Sequence, residues 1–341
     1  MPRTKRYFIS DVHLSSDTLY EQDKSWFKKP DHETRLIGFI DKHILGKPNI
    51  KDFVLLGDIF NSWVCPAMVT PPTYDDIFTA NQAILDKFQE IADDGINLYY
   101  INGNHDFDLS TEDIRQAIPG VTPIKIYRSG QLHGEHGHRF DEIFNRPDYF
   151  CDPAFGRPIG YIISRLVTSF STTGYGIIDL PTYLDDLVEA AATSQNLFES
   201  IIEGLAERAG MGDENVILMP GGRELSIQKA KERYKKLGER YSLPEFIREL
   251  WDRSALGWQA DRLCHRNDVS IVIFGHSHKA LLDKDFFLVK DRIYANSGAW
   301  CKKNAYCVEV DKKPNKPLVV RLLKVAPDGT ATQKEKKSLG N

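Results

Sequence analysis

Five short polar signatures punctuate this chain, and four of them directly close an apolar run. Asp11 and His13 close YFISDVH, Gly57 and Asp58 close FVLLGD, and Asn104, His105 and Asp106 close LYYINGNHD. His136 and His138 lie in GEHGH, and His276 and His278 follow IVIF in GHSH. Runs of this length, rich in β-branched and aromatic residues, predict buried strands. Polar chemistry confined to strand ends is the sequence pattern of an α/β active site. The spacing between runs agrees. A helix is predicted over 33–45, with Leu36, Ile37, Ile40 and Ile44 on one face, and another over 76–92, with Ile77, Ala80, Ile84, Phe88 and Ile91. With strands at 53–56 and 98–101, the first third reads as alternating strand and helix on a largely parallel sheet.

The signatures supply the ligand types of a metal centre. Side chains two apart on a strand share a face, so Asp11 and His13 can reach one ion, as can His276 and His278. Gly57 permits a tight turn, and a carboxylate such as Asp58 can place one oxygen on each of two metals. Asn104 offers a neutral carbonyl oxygen, and Asp106 is available to orient the His105 imidazole. HGEHGH leaves the register open among His133, His136 and His138. His136 is preferred as ligand, with His138 nearer substrate and His133 a strand residue on the way in. Oxygen donors mixed with imidazoles and no Cys disfavour a structural zinc site. They suit two divalent transition-metal ions, Mn first, with Fe, Co or Zn as alternatives.

Composition narrows the partners. The 341 residues are 41% hydrophobic and 27% charged, as in soluble globular proteins. A formal charge of -4 argues against a nucleic-acid partner, yet admits an anionic substrate, because bound cations dominate the local field. No signal peptide and no transmembrane run is read. Cys65, Cys151, Cys264, Cys301 and Cys307 form no CxxC pair, which predicts free thiols and a cytoplasmic protein. The sequence does not determine the oligomeric state.

In this order, DxH, GD, GNHD, GH and GHxH resemble the calcineurin-like metallophosphoesterase family. GDIFNSW, GNHDF, the helical text before GHSH and the later SGAW resemble its UDP-2,3-diacylglucosamine pyrophosphohydrolase branch, which usually has Arg where His105 stands. The resemblance implies a four-layer αββα sandwich of class α/β with a helical cap. Helical text from 145, the return of strand rhythm at 269 and a polar end divide the chain into a first core part at 1–144, a helical insertion at 145–266, a second core part at 267–327 and a polar tail at 328–341. The second part is expected to hold strands at 269–274, 293–295, 305–310 and 318–325, the last three as a meander.

The resemblance also implies roles. Asp11, His13, Asp58 and His278 would hold one metal, and Asp58, Asn104, His136 and His276 the other. A bridging hydroxide would attack phosphorus, with His105 assisting the leaving group. The substrate is then a small phosphate ester or pyrophosphate, with a lipid-linked UDP sugar as an alternative. A nuclease and a catalytically silent metal-binding scaffold are the competing readings. His138, Arg139, Trp63 and Trp300 are the candidate substrate contacts, and Arg157 and Arg165 further phosphate clamps. The apolar stretch Ile159–Phe170 suits an acyl-chain groove, a peripheral membrane contact or plain packing of the cap.

Overall fold

The structure is a computed structural model that describes residues 2–141, 144–146, 151–152, 156–171, 196–239, 256–266, 268–284 and 291–339. Much of the predicted helical text, at 172–195 and 240–255, lies outside the described residues.

The strands of the first third are β1 (Lys5–Ile9), β2 (Ile50–Leu56), β3 (Asn97–Ile101) and β4 (Val121–Pro123). They pair in parallel, β1 with β2, β2 with β3 and β3 with β4. Helices α1 (Asp17–Glu21), α2 (Asp31–His43), α3 (Tyr74–Ala80), α4 (Gln82–Asp93) and α5 (Thr111–Ala117) occur among them. The single helix expected over 76–92 is in fact two. Asn81 breaks it with φ -124 and ψ 24. The Asn81 amide donates to the Ser15 and Ile77 carbonyls and accepts from the Tyr20 hydroxyl, a side-chain alternative to the helical ladder.

Further strands are β5 (Tyr127–Ser129), β6 (Leu132–Gly134), β7 (Cys151–Asp152), β8 (Arg157–Pro158), β9 (Val216–Met219), β10 (Arg223–Ser226), β11 (Ile271–Phe274), β12 (Leu281–Lys284), β13 (Ile293–Asn296), β14 (Ala305–Asp311), β15 (Val319–Val325) and β16 (Ala331–Ser338). Seven form one sheet in the order β16-β15-β14-β1-β2-β3-β4, and five a second in the order β12-β13-β11-β6-β5. The period-2 alternation of strand side chains builds the layers. Tyr7 and Ile9 of β1, with Phe53 and Leu55 of β2, face the helices α2, α4 and α5. Phe8, Val54 and Leu56 point the other way and meet Ile271 and Ile273 of β11 between the sheets. Val272 and Phe274 then pack beneath the helix Leu256–Arg266. Helix, sheet, sheet, helix is the expected four-layer αββα order.

Three expectations need correction. The strand at 293–295 is not part of a meander with its successors. β13 lies in the second sheet, parallel to β11, while β14 crosses to the first and pairs with β1. The polar tail is an edge strand, since β16 pairs along β15. Lys and Glu there resemble a frayed end but protect an exposed sheet edge from further pairing. Finally, the insertion is not wholly helical, because β9 and β10 form an antiparallel hairpin around Pro220–Gly222.

Helix α6 (Ile159–Phe170) is buried from Ile159 to Thr168. It packs with the helix Leu197–Arg208, with Tyr234 and with Trp63 and Ala67 in a separate core. This apolar stretch is therefore packing rather than an open groove or membrane contact. No helix of the described residues is long and apolar enough to cross a membrane. Cys65, Cys264, Cys301 and Cys307 are free and buried.

His32, in the first turn of α2, accepts the Lys28 amide through Nδ1. Burial, then Arg35, pushes it down to about 4, and the helix N-terminus adds to the cost of a positive charge. The unfolded chain takes up this proton near pH 6.5, before the folded chain does, so the contribution is present at neutral pH and lost as pH falls from 6.5 towards 4. His32→Asn, which keeps an acceptor for the amide, should flatten the wild-type loss over that window by roughly 2 kcal/mol, read from denaturant unfolding at several pH values.

Candidate metal centre

All five signatures converge at the carboxyl ends of strands from both sheets. Asp11 and His13 follow β1, Asp58 follows β2, Asn104 and His105 follow β3, His136 follows β6, and His276 and His278 follow β11. Asp11 (φ 53), His13 (φ 58), Asp58 (φ 53), His276 (φ 65) and His278 (φ 56) are in the left-handed region. A non-glycine residue there costs roughly 1–2 kcal/mol. Five of the nine such residues described are candidate ligands, so backbone strain gathers where side chains must turn inward. Glycine gives the clearance. Gly57 has φ 88, and a Cβ on it would strike the His136 ring, while one on Gly103 would fall on the Asp58 carboxylate.

Two clusters of donor atoms result. In one, His13 Nε2 faces His278 Nε2 at 3.1 Å, and His278 Nε2 lies 3.0 Å from Asp11 Oδ1. In the other, His136 Nδ1 lies 2.8 Å from the Leu56 carbonyl, which can only accept, so Nδ1 carries the hydrogen and Nε2 the lone pair. That Nε2 faces Asp58 Oδ2 at 3.1 Å. Asp58, His136 and His276 form a group able to hold an ion, as do His13, Asp58 and His105. Asp58 belongs to both.

The donor set fits divalent cations on the structure's own terms. Asp11 Oδ1, Asn104 Oδ1 and His136 Nε2 are buried without a hydrogen-bond partner. Lone pairs that face each other at 3 Å repel unless positive charge lies between them. The electrostatics make the same demand. Burial opposes charge on His136, yet Asp58 and Asp11 push it up to about 10, so a proton on Nε2 or a cation in its place must supply the positive charge between that nitrogen and Asp58. Burial also opposes ionisation of Asp58, but His136, His105 and His13 outweigh it and hold the carboxyl well below its usual range.

Surrounding groups fix the candidate ligands. Asn104 Nδ2 donates to Asn145 Oδ1 at 3.2 Å, Asn145 Nδ2 donates to Asp141 Oδ2, and His276 Nε2 lies 3.2 Å from that same oxygen. Carboxylates and amides that hold a ligand imidazole by its other nitrogen orient it and raise its basicity. Sequence reasoning missed Asp141 and Asn145, because neither stands in a ligand-like motif. It also missed Cys301, whose thiol groups with His13 and His278; the run SGAWC was the available signal.

His105 and Asp106 part company. The His105 amide donates to Asp58 Oδ1 at 2.8 Å, and its Nδ1 lies 3.1 Å from Asn61 Oδ1. Asp106, expected to orient this imidazole, instead accepts from the Ile59, Phe60 and Gly103 amides and the Tyr100 hydroxyl. It ties together the loops after β2 and β3, and Asn61 does the orienting. Burial, then the Asp58 charge, raises Asp106 to about 7. Burial, reinforced by neighbouring imidazoles, lowers His105 to about 4.

The expected substrate contacts divide. Trp63 is buried with its ring 4.6 Å from that of His105. His138 is half-buried, 5.5 Å from the His136 ring. Arg139 is engaged by Glu135 and stacks on Phe140. Trp300 does not line the site: it is 1% exposed and packs on Phe39 in the first core. Arg165 binds the carbonyls of Cys65, Pro66, Ala67 and Val69, and Arg157 binds Asp108, so both brace the insertion against the body. His133 is bonded to Glu135 within its strand end.

The family model described as calcineurin-like phosphoesterase matches residues 4–280. A UDP-2,3-diacylglucosamine hydrolase of Aeromonas salmonicida is 30% identical over 174 residues, covering 51% of this chain and 56% of that protein. One from Neisseria meningitidis serogroup B is 27% identical over 128 residues, covering 38% and 44%. The chain thus spans about half the length of these curated relatives. A conserved uncharacterised protein of Streptococcus pneumoniae with a solved structure aligns over 98% of this chain and 97% of its own. Its TM-score is 0.33 and its identity 10%.

Asp106→Ala should orphan three buried amides and a hydroxyl at once. Unpaired buried donors cost about 1–3 kcal/mol each, so denaturant unfolding should show a loss of at least roughly 3 kcal/mol.

Proposed function

Because the chain belongs to the calcineurin-like phosphoesterase family, we propose that it hydrolyses a phosphate ester or pyrophosphate bond with the help of two divalent transition-metal ions, Mn first among them. The observation that carries this reading is the pair of facing donor clusters joined at Asp58. Asp11, His13, Asp58 and His278 would hold one ion, and Asp58, Asn104, His136 and His276 the other. Ions held there would supply positive charge against the phosphoryl oxygens and lower the pKa of water towards neutrality.

The chain's own groups do the remaining work. Asp58 faces both clusters, and its second role, accepting the His105 amide, sets the catalytic histidine beside them. Asn61 fixes the His105 hydrogen on Nδ1 and leaves Nε2 to exchange a proton with the departing oxygen. Burial holds His105 down to about 4, and the negative charge of a bound phosphate favours its protonated form. Trp63 covers one face of this imidazole and keeps water from it. Proton transfer from a placed histidine contributes typically 10²–10⁴-fold.

A more specific reading is a pyrophosphohydrolase acting on a UDP-linked acyl sugar. The shared name of the matched relatives favours it, and so does the insertion packed beside His105 through Trp63.

Bis(p-nitrophenyl) phosphate should be hydrolysed by the Mn²⁺-loaded protein and spared after chelation, with close to two metal ions per chain by elemental analysis. Asp58→Ala should abolish turnover and lower metal content. His105→Asn should cut kcat by roughly 10²–10⁴-fold with metal content unchanged; a variant that loses metal would instead make His105 a ligand.

A further inference from the structure

The motif residues supply oxygen and imidazole nitrogen alone, but the fold brings a sulfur to one of the two donor clusters. Cys301 stands in the connector between β13 and β14, directly after the run SGAW. Its thiol, one nitrogen of His13 and one of His278 all lie within 4.8 Å of one another. Sulfur and nitrogen at about 2.3 and 2.1 Å from a single zinc ion can themselves stand about 4 Å apart. Among the described residues, no other cysteine joins a group of this kind.

The backbone holds the thiol at this place. The Trp300 and Cys301 amides donate to the Asp11 carbonyl at 3.0 and 3.3 Å. The Ser10 hydroxyl donates to the Gly298 carbonyl at 3.1 Å, and buried Arg35 donates to the Lys302 carbonyl at 2.9 Å. The connector is thus fixed to the same end of β1 that presents Asp11 and His13. A second observation points to an ion here. Asp11 is fully buried and its Oδ1 has no hydrogen-bond partner, although it lies 3.0 Å from His278 Nε2. A free buried cysteine can serve as a small apolar filler, and Cys301 does pack with Trp26, Val64 and Ala299. Those neighbours also make a dry wall, in which a thiolate attracts a cation strongly.

We propose that Cys301 is a further ligand of the ion held by Asp11, His13 and His278, and that its sulfur makes the two metal positions unlike. This rests on the two-metal reading above. The thiol gives its proton to solvent as it coordinates. Thiolate selects softer ions such as Zn²⁺ or Fe²⁺, whereas Asp58, Asn104, His136 and His276 offer only oxygen and imidazole donors and leave a place for Mn²⁺. The chain then holds a mixed pair.

The test is Co²⁺ binding to the reduced, metal-free full chain, read by absorption. Wild type should show a thiolate-to-cobalt charge-transfer band in the near ultraviolet, absent from Cys301→Ser at equal cobalt content. A band that persists in the variant arises from another thiol and overturns the proposal, as does cobalt bound to wild type without the band. Failure to bind cobalt at all would count against the two-metal reading as well. X-ray absorption on Zn²⁺-loaded wild type, which does not depend on the variant folding, should find sulfur at about 2.3 Å; a shell of nitrogen and oxygen alone overturns the proposal. When Zn²⁺ is titrated into the Mn²⁺-loaded chain, one Mn²⁺ should leave roughly tenfold more readily than the other, a gap that falls below about threefold in Cys301→Ser. An unchanged gap in the variant would overturn the part given to sulfur in metal choice.

Discussion

The centre of this molecule is a buried carboxylate that cannot stand alone. Asp58 is 1% exposed, and ionising it inside a protein costs several kcal/mol unless opposite charge is near. Its neighbours are imidazoles, the His105 amide and the fixed acceptor face of His136. The surrounding structure is arranged around that need. Strands from two sheets end here, left-handed residues turn the candidate ligands inward, and glycines clear the space.

Strain and burial at this point are supported elsewhere. Packing between the sheets, with Phe8, Val54 and Leu56 against Ile271 and Ile273, holds β1, β2 and β11 at one level, so that their ends share a site. Asp106 locks two of the loops from behind, and Arg35 and the Asp11 carbonyl hold a third. The insertion contributes directly, since Asn145 holds Asn104. It also packs through Trp63, whose ring lies on His105. Rigid support of this kind is what permits five residues to remain in a costly backbone conformation.

Much of the fold was legible because apolar runs and helical periodicity report burial, and burial follows the layers. The alternation of Tyr7, Phe8 and Ile9 is a layer assignment written in three residues. Two of the errors share a cause. Asn81 breaks a helix by a side-chain bond to Ser15, a residue remote in sequence. β14 leaves the second sheet for a partner, β1, nearly three hundred residues away. β16 is polar because its position is an edge. For Asn81 and β14 the deciding partner is distant in the chain, where local pattern carries no information. β16 pairs with its neighbour β15, and its polar text reports the sheet edge rather than a lack of pairing.

The candidate site divides along the same line. The sequence by itself determined which residue types stand at strand ends, because motif spacing alone put Asp11 with His13 and His276 with His278. Only the tertiary structure decided what each does. It paired His105 with Asn61 instead of Asp106, brought His136 rather than His133 to Asp58, sent Trp300 into the core, and grouped the Cys301 thiol with His13 and His278. The physical reason is that residue type and local period are properties of the chain. A lone pair's partner, a ring's neighbour and a charge's surroundings depend on elements that meet only when the sheets close on each other.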